Sequence, residues 1–314
     1  MNKVTIIGTG SVGSTIAYTL TVTGLVSEII MIDVNNEKAL GEALDIRQGT
    51  PFCSPCSVYA GSYRDAEGSN IVIVTSGIAR KPGQSRLDLA QTNVNIMKSI
   101  IPQIVKYAPD ANYIIVSNPV DILTYVFCKH SGLPERRIIG SGTILDTARL
   151  RSRLSEYYKI YQLIVHAFVM GEHGDSSFIP LSVANISNVP LAECENFIVN
   201  SEGIYPELNY DDIEAYVRKS GARVIERKGA TFYAISVSVC HIIKCLLSGI
   251  DTTMTVSTMM HGEYGIDDVC LSVLSIVGSE GAHGKILIPM TDEEIGKLQH
   301  SADCLKEIIN SIEI

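Results

Sequence analysis

A glycine-rich segment near the N-terminus constrains the fold of this 314-residue chain more than any other feature. The segment GTGSVG, residues 8–13, follows the apolar run VTII and opens an amphipathic stretch, so it joins a strand to a helix. In such a turn Gly8 permits a tight bend, Gly10 lets the backbone approach a pyrophosphate, and Gly13 lets the helix pack on the strand. Because a helix N-terminus attracts phosphate, the segment predicts a dinucleotide site.

Asp33 extends this predicted site. It follows Gly13 by 20 residues and stands at the end of the second predicted strand. Its carboxylate can accept hydrogen bonds from a ribose diol and would repel a 2′-phosphate, which favours NAD over NADP. A ligand-free turn and a surface acid would explain each feature alone, but strand, helix and acid together favour the cofactor.

Short apolar runs alternate with amphipathic ones through the first half of the chain. The predicted strands span residues 4–7, 28–32, 71–75, 113–116 and 137–139, and the predicted helices span 11–23, 37–48, 87–106 and 121–131. This alternation predicts an α/β fold with a doubly wound parallel sheet (Rossmann) over residues 1–142. Beyond it, helices at 145–158, 210–228, 230–248 and 292–312 surround an extended run at 164–170. Residues 143–314 are therefore expected to form a second, α+β substrate domain.

Composition narrows the class of protein. The formal net charge is −9 and basic residues are not clustered, so nucleic acid is not expected as a partner. We expect neither a membrane span nor a signal peptide, and we expect a cytoplasmic protein. The eight cysteines are scattered, and only Cys53 and Cys56 form a C-x-x-C motif, so free thiols are expected.

Three later segments hold polar residues that could react beside such a cofactor. His173 lies between two glycines in GEHGD, after an apolar run, and its reference pKa suits proton exchange at neutral pH. Asp146 and Arg149 are three residues apart on a predicted helix and share a face. Asn118 follows a strand, at the edge where open α/β sheets bind ligands.

Each of these residues has an ordinary explanation when taken alone: a loop histidine, a surface ion pair and a turn. Together with the nucleotide segment and the loop GIARKPGQSRLDL, they predict a hydride-transfer site. Arg149 would hold a substrate carboxylate, His173 would exchange the hydroxyl proton, and Asp146 would orient the imidazole. Arg86 would be carried on a lid that excludes water, and it would polarise the carbonyl oxygen of the substrate.

The sequence resembles the lactate/malate dehydrogenase family over nearly its full length. The motifs that carry the resemblance are GTGSVG, Asp33, TSGIARKPGQSRLDL, VSNPVDILTY, GSGTILDTARLR, GEHGDS, KGAT and LSVLSIVG. The resemblance implies an NAD-dependent dehydrogenase of L-2-hydroxy acids whose catalytic set is His173, Asp146, Arg86 and Arg149. It also implies that Asn118 contacts substrate and cofactor, and it adds NAD contacts at Val12, Lys38, Tyr63, Gly77 and Val116.

Position 80 divides this family. Malate enzymes carry arginine there, and Arg80 could pair with the second carboxylate of oxaloacetate, whereas lactate enzymes commonly carry glutamine. The segments GSGTILDTAR and SRLDL, and the substrate-wall residue Thr231 in KGAT, resemble the lactate branch instead. A loop arginine can also turn outward and stay hydrated. The sequence therefore favours pyruvate and lactate as substrates, with oxaloacetate and malate as the alternative.

Two further residues resemble those that form an anion-binding site in bacterial lactate enzymes. Arg151 lies about 200° around the helix from Arg149, so it faces away from the substrate. Arg151 and His166 match the places where bisphosphate-responsive members carry Arg and His at a subunit interface. The resemblance implies a homotetramer with fructose 1,6-bisphosphate as activator. The alternative is a surface arginine and a core histidine.

Two other classes of protein stay open from the sequence. A non-catalytic NAD-binding protein could share the fold, although it would be free to lose the four predicted catalytic residues, and all are retained. NAD-dependent glycosidases of related architecture hold a metal ion with Cys and His. Here Ser117 stands where they place cysteine, so no metal site is expected.

Overall fold

The main sheet of the molecule has nine strands. The computed structural model describes residues 2–78, 86–194 and 208–314. The strands are β1 (Lys3–Ile7), β2 (Glu28–Ile32), β3 (Ser57–Ala60), β4 (Ile71–Val74), β5 (Asn112–Ile115), β6 (Ile138–Gly140), β10 (Thr252–His261), β11 (Asp267–Gly278) and β12 (Gly281–Lys285). A small separate sheet contains β7 (Val165–His166), β8 (Asn185–Ile186) and β9 (Val189–Pro190).

The parallel half of the main sheet is doubly wound. Its strands lie in the order β6-β5-β4-β1-β2-β3, and all neighbours in this half are parallel. The strand β4, IVIV, is buried at all four positions, as expected for a strand with helices on both faces. The chain reverses its direction of winding between β1 and β4, where their carboxyl ends open a crevice. The predicted fold class is confirmed.

Helices cover both faces of this sheet and build the second half. They are α1 (Ser11–Thr23), α2 (Asn36–Gly49), α3 (Arg86–Tyr107), α4 (Val120–Ser131), α5 (Ile144–Tyr158), α6 (Tyr210–Lys228), α7 (Tyr233–Ser248) and α8 (Asp292–Asn310). Local signals set their ends: α1 stops at Gly24, which has φ +65°, and Thr291 forms a capping box with Glu294 at the start of α8. The predicted helix bounds agree with these to within three residues.

The antiparallel strands β10, β11 and β12 extend the same sheet beyond β6. The join pairs Ser257 with Gly140, and a Cβ on Gly140 would lie 2.3 Å from the Thr124 hydroxyl oxygen, so only glycine fits there. These strands were not predicted from the sequence. Both faces of β10 and β11 are buried over most of their length, which removes the alternation that reveals a strand. The sheet therefore crosses the domain boundary at 142/143, which stays a prediction.

In the described ranges no helix is both long enough and apolar enough to span a bilayer. The same residues contain no group of three or more His, Cys, Asp or Glu side chains placed to hold a metal ion. All eight cysteines are described, and all are free thiols.

Candidate active site

A cavity of about 670 Å³ lies at the crevice formed by the carboxyl ends of β1, β2 and β4. Six of the predicted cofactor residues line it: Gly8, Gly10, Asp33, Lys38, Tyr63 and Gly77. Val12 and Gly13 belong to α1, and Val116 is buried just after β5. None of these three lines the cavity. Thr75 and Ser76, which follow β4, also line the cavity and could have been predicted from the carboxyl-edge rule.

The glycine turn has the geometry that a pyrophosphate requires. Gly8 has φ +102°, and a Cβ there would lie 2.7 Å from the backbone nitrogen of Ser76. A Cβ on Gly13 would lie 1.9 Å from the Gly8 carbonyl oxygen, so α1 can pack on the turn only through glycine. A Cβ on Gly10 would meet no described atom within 4 Å, which leaves open space in front of the helix N-terminus. These residues fit NAD.

Asp33 holds the turn as well as facing the cavity. Its Oδ2 accepts hydrogen bonds from the Thr9 backbone nitrogen at 2.7 Å and the Thr9 hydroxyl at 3.1 Å, and its Oδ1 accepts from Asn35 N at 2.9 Å. Burial alone would raise the pKa of Asp33, but these hydrogen bonds outweigh burial and lower it. Because a carboxylate has about four acceptor positions, roughly one is left for a ribose hydroxyl.

Three of the predicted catalytic side chains form one hydrogen-bonded cluster. The Nδ1 atom of His173 lies 2.5 Å from Asp146 Oδ2, and Arg149 Nη1 donates to Asp146 Oδ1 at 2.8 Å. Asp146 is almost fully buried, with 8% of its side chain exposed, whereas His173 retains 26%. The carboxylate thus fixes both partners from behind, while the imidazole keeps one edge open to the cleft.

The position of each member follows from its element. Asp146 and Arg149 are i and i+3 on α5, so they share a face. His173 lies in a tight turn between Met170 and Phe178, which pair with each other as an antiparallel bridge. Gly171 opens this turn at φ +91°, where a Cβ would lie 2.6 Å from the Ser301 hydroxyl oxygen of α8.

Electrostatics inside the cluster favour the charged form of His173. Burial disfavours the imidazolium, but the carboxylates of Asp146 and Asp121 outweigh burial and raise the pKa of His173 above its ordinary value. Burial would likewise raise the pKa of Asp146, but His173 and Arg149 hold it below its ordinary value. A carboxylate that stays ionised beside a histidine with raised proton affinity suits a group that both gives and takes a proton.

Asp121, in the first turn of α4, is a second carboxylate behind His173 that sequence analysis missed. Its Oδ2 accepts from the His173 backbone nitrogen at 2.8 Å, and only 3% of the residue is exposed. Burial raises the pKa of Asp121 to about 6. The segment VSNPVDILTY places an acid within an apolar helix start, and that was the available signal.

Replacing Asp121 with asparagine is expected to lower the pKa of His173, because one of the two carboxylates that raise it loses its charge. Reduction of a carbonyl by hydride transfer needs a proton from the imidazolium, so activity in that direction is lost as pH rises through the pKa of His173. The alkaline limb of kcat/KM for carbonyl reduction should therefore move to lower pH in Asp121→Asn. Asp110→Asn, a change at an exposed surface acid, serves as the control. An unchanged limb in Asp121→Asn would contradict the assignment.

Hydrogen bonds through Asn93 join the nucleotide cavity to Asn118, which lines a second cavity together with His173. Asn93 Oδ1 accepts from Ile78 N at 2.9 Å, beside Gly77, and Asn93 Nδ2 donates to the Asn118 carbonyl oxygen at 2.7 Å. Asn118 and His173 in turn line a common cavity of about 260 Å³. Asn93 was not predicted, since nothing distinguishes it in the sequence from its neighbours on the same helix.

The structure describes less about the other predicted substrate residues, Thr231, Arg86 and Arg80. Thr231 lies between α6 and α7 and is half-buried, and no hydrogen bond in the described chain joins it to the cluster. Arg86 begins α3, but its side chain lies outside the described residues, as does the whole of Arg80.

Arg151 and His166 occupy neighbouring segments. The Arg151 Nε donates to the Ala167 carbonyl oxygen at 3.1 Å, and the guanidinium stacks 5.4 Å from the Phe168 ring centroid. Burial lowers the pKa of Arg151, and in the described part of the chain no carboxylate pairs with it. His166, on β7, is exposed. The pair is therefore one partly buried cation that meets no carboxylate among the described residues and one surface histidine.

Comparison with known proteins identifies the family. The NAD-binding domain model of lactate/malate dehydrogenases matches residues 2–140, and the alpha/beta C-terminal domain model of the same enzymes matches residues 143–313.

The chain belongs to the lactate/malate dehydrogenase family.

Individual relatives of this family match over the whole chain. L-lactate dehydrogenase 1 of Clostridium acetobutylicum is 46% identical over 311 residues, covering 99% of this chain and 98% of that protein. L-lactate dehydrogenase of Acetivibrio thermocellus is 44% identical over 314 residues, covering 100% and 98%. The solved structure of the minor L-lactate dehydrogenase from Enterococcus mundtii has a TM-score of 0.94 at 36% identity, covering 100% of this chain and 99% of that one.

Membership confirms three sequence predictions: the family, the Rossmann fold and NAD as cofactor. The protein is an NAD-dependent 2-hydroxy acid dehydrogenase.

Proposed function

We propose that the protein catalyses the reversible reduction of pyruvate to L-lactate with NADH. The observation that carries the proposal is the hydrogen-bonded cluster of His173, Asp146 and Arg149. His173 shares its cavity with Asn118, which Asn93 joins to the wall of the nucleotide cavity. The names of the full-length relatives support lactate as the product.

The cofactor, when bound, gives or accepts the hydride. The protein supplies the positions of the acid and the proton. Arg149 Nη1 is held by Asp146, so the rest of its planar fork can take the substrate carboxylate. His173 Nδ1 is held by the same carboxylate, so Nε2 is the atom that would donate a proton to the carbonyl oxygen and recover it during oxidation. Arg86 is proposed to polarise that carbonyl.

Pyruvate rather than oxaloacetate is the proposed substrate, although Arg80 resembles the malate branch. The resemblance of GSGTILDTAR, SRLDL and Thr231 to lactate enzymes covers three separate segments, whereas the malate signal is one loop residue. The L-lactate dehydrogenases of Acetivibrio thermocellus and Clostridium acetobutylicum match this chain along almost their whole length.

Steady-state kinetics with NADH decide between the two acids. We expect kcat/KM for pyruvate to exceed that for oxaloacetate at neutral pH. Arg80→Gln is the informative variant. A charge-assisted pair contributes about 1.5–3 kcal/mol, so removing the guanidinium should lower kcat/KM for oxaloacetate by roughly 10-fold or more. The kcat/KM for pyruvate should change little. A wild-type preference for oxaloacetate would overturn the proposal.

We propose further that the protein works as a homotetramer activated by fructose 1,6-bisphosphate, with Arg151 and His166 of paired subunits holding the phosphates. The partly buried guanidinium of Arg151 supports this, because a buried cation without a carboxylate is stabilised by a bound anion. The eight free thiols support a reducing compartment, and we propose a cytoplasmic role in glycolytic fermentation.

Activation is tested at low pyruvate. Millimolar bisphosphate should lower KM for pyruvate in the wild type and have no effect in Arg151→Gln, while light scattering follows the assembly. Arg153→Gln, on the same helix but paired with Glu156, is the matched control and should respond like the wild type. Identical rates with and without bisphosphate in the wild type would contradict activation.

A further inference from the structure

The chain leaves the catalytic turn through a short extended segment, Ser177, Phe178 and Ile179. All three residues are buried, with 5%, 3% and 4% of each exposed. The backbone nitrogen and oxygen of Phe178 both bond Met170, at 3.1 and 3.0 Å. In an extended chain the groups of the adjoining residues point to the opposite edge, so Ser177 O and Ile179 N face away from Met170. Because they are buried, they need hydrogen-bond partners of their own.

Two side chains of α6, one turn apart, supply these partners. Arg218 Nη1 donates to the Ser177 carbonyl oxygen at 2.8 Å, and Glu214 Oε1 accepts from the Ile179 backbone nitrogen at 2.9 Å. The second carboxylate oxygen, Glu214 Oε2, pairs with the same guanidinium nitrogen at 3.2 Å. Because residues i and i+4 share a face of a helix, the Glu214–Arg218 pair takes the place that a neighbouring strand would occupy.

The Glu214–Arg218 pair is better shielded from water than other ion pairs of the same helix. The exposed fraction of the side chain is 17% for Glu214 and 31% for Arg218, compared with 80% for Glu226 and 71% for Arg227. Water can replace an exposed pair at little cost, but it has poor access to the backbone groups that Glu214 and Arg218 bond. Removing either side chain would leave a buried amide or carbonyl unpaired.

The same helix is anchored to α5, which carries Asp146. Ile213 and Val217 of α6 are buried in one apolar core with Leu150 and Leu154 of α5. Each of these α6 residues directly precedes a member of the Glu214–Arg218 pair in the sequence. The helix is therefore held by packing on α5 and by hydrogen bonds on the segment that leaves the catalytic turn.

Ser177 passes the position of this segment on to the catalytic turn. Its hydroxyl donates to the Gly174 carbonyl oxygen at 2.9 Å, and Gly174 is the residue that follows His173. On the other side of His173, its Nδ1 lies 2.5 Å from Asp146 Oδ2. The imidazole and its carboxylate thus lie on two separate parts of the chain, and α6 contacts both parts.

We propose that Glu214 and Arg218 are positioning residues that fix the catalytic turn, and with it His173, at hydrogen-bond distance from Asp146. The inference rests on the proposed function, because it takes His173 as the group that exchanges the proton. Both residues act through the backbone of Ser177 and Ile179. Their contribution is therefore to the geometry of the acid and not to the binding of the substrate carboxylate.

Steady-state kinetics of Arg218→Met test this proposal, because methionine keeps much of the apolar stem and loses every donor. Misplacing a catalytic group by about 1 Å can cost on the order of 100-fold, so kcat for pyruvate reduction should fall by roughly 10- to 100-fold. KM should change less, since Arg149 and its bond to Asp146 lie on α5. Arg218→Lys keeps a donor for the Ser177 carbonyl and should recover part of the lost kcat.

The pH profile separates positioning from a purely structural role. Burial lowers the pKa of His173, the carboxylates of Asp146 and Asp121 raise it by more, and Arg149 lowers it. A turn that moves away from Asp146 loses part of the raising effect, so the pKa of His173 should fall. Reduction needs the imidazolium, so its alkaline limb should move to lower pH in Arg218→Met. Glu214→Gln, which keeps an acceptor for Ile179, should shift the limb in the same direction by less.

The matched control is Arg227→Met, at an exposed position of the same helix, and it should keep the kcat and the alkaline limb of the wild type. Glu214→Gln decides the question if Arg218→Met does not fold. A lower Tm in the Arg218 and Glu214 variants with unchanged kcat and an unchanged limb would overturn the inference while pyruvate reduction stands. A wild type inactive on pyruvate would overturn the proposed function itself.

Discussion

Replacing His173 with asparagine is expected to lower kcat for pyruvate reduction by roughly 100- to 10,000-fold, the usual contribution of a positioned general acid. Asparagine can still accept from or donate to neighbouring groups, but it has no proton to exchange at neutral pH. The carboxylate of Asp146 would remain in place beside Arg149, at 2.8 Å, so the substrate clamp should survive. KM for pyruvate should change far less than kcat.

The pH profile provides a second measurement on the same variant. In the wild type the pKa of His173 is raised, so reduction should be fully active below it and fail as pH rises through it. Oxidation of lactate needs the neutral imidazole and should show the opposite limb. Both limbs should disappear in His173→Asn. His300→Asn, on the exposed surface of α8, is the control and should keep them. A His173→Asn enzyme with more than a tenth of wild-type kcat would refute the assignment.

Local chemistry made the nucleotide end of the molecule predictable. Gly8 and Gly13 are required by contacts within the turn and with its neighbour strand, so their spacing carries the information directly. The helices could be predicted for the same reason, because an amphipathic stripe and its caps lie within one segment.

The catalytic cluster was predicted as a set of types rather than as a geometry. His173 and Asp146 are 27 residues apart, and their 2.5 Å contact exists only because α5 and the turn after Met170 meet at the sheet edge. Asp121 and Asn93 were missed because their roles depend on partners distant in the chain, His173 N for one and Asn118 O for the other. Such long-range contacts leave no periodic signal in the sequence.

The hairpin of β10 and β11 was not predicted for a related reason. Each strand is buried on both faces, so its apolar residues form a continuous run that is equally consistent with a buried helix.

Replacing Arg149 with lysine is expected to lower kcat/KM for pyruvate by roughly 30- to 5,000-fold, although the charge is kept. The loss of a paired, desolvated charge contact costs about 2–5 kcal/mol, and this is the corresponding range. Arginine can bond Asp146 through Nη1 and offer its other nitrogens to a carboxylate in the same plane. An ammonium group is a single point charge, so it must either pair with Asp146 or meet the substrate.

The effect should fall on substrate binding and leave cofactor binding intact. Arg149 does not line the nucleotide cavity, so the Kd for NADH, followed by fluorescence titration, should stay within about twofold of the wild type. KM for pyruvate should rise the most. Because the carboxylate of a bound acid fixes the reacting carbon, kcat should fall as well.

Arg153→Lys is the matched control, because Arg153 lies one turn further along α5 and also pairs with a carboxylate, that of Glu156. Its side chain is 44% exposed, compared with 16% for Arg149, so water can replace the hydrogen bonds that are lost with the guanidinium. We expect this variant to match the wild type within about twofold. Equal losses in both lysine variants would indicate a general weakening of α5. An Arg149→Lys enzyme within threefold of wild type would instead mean that another group holds the substrate carboxylate.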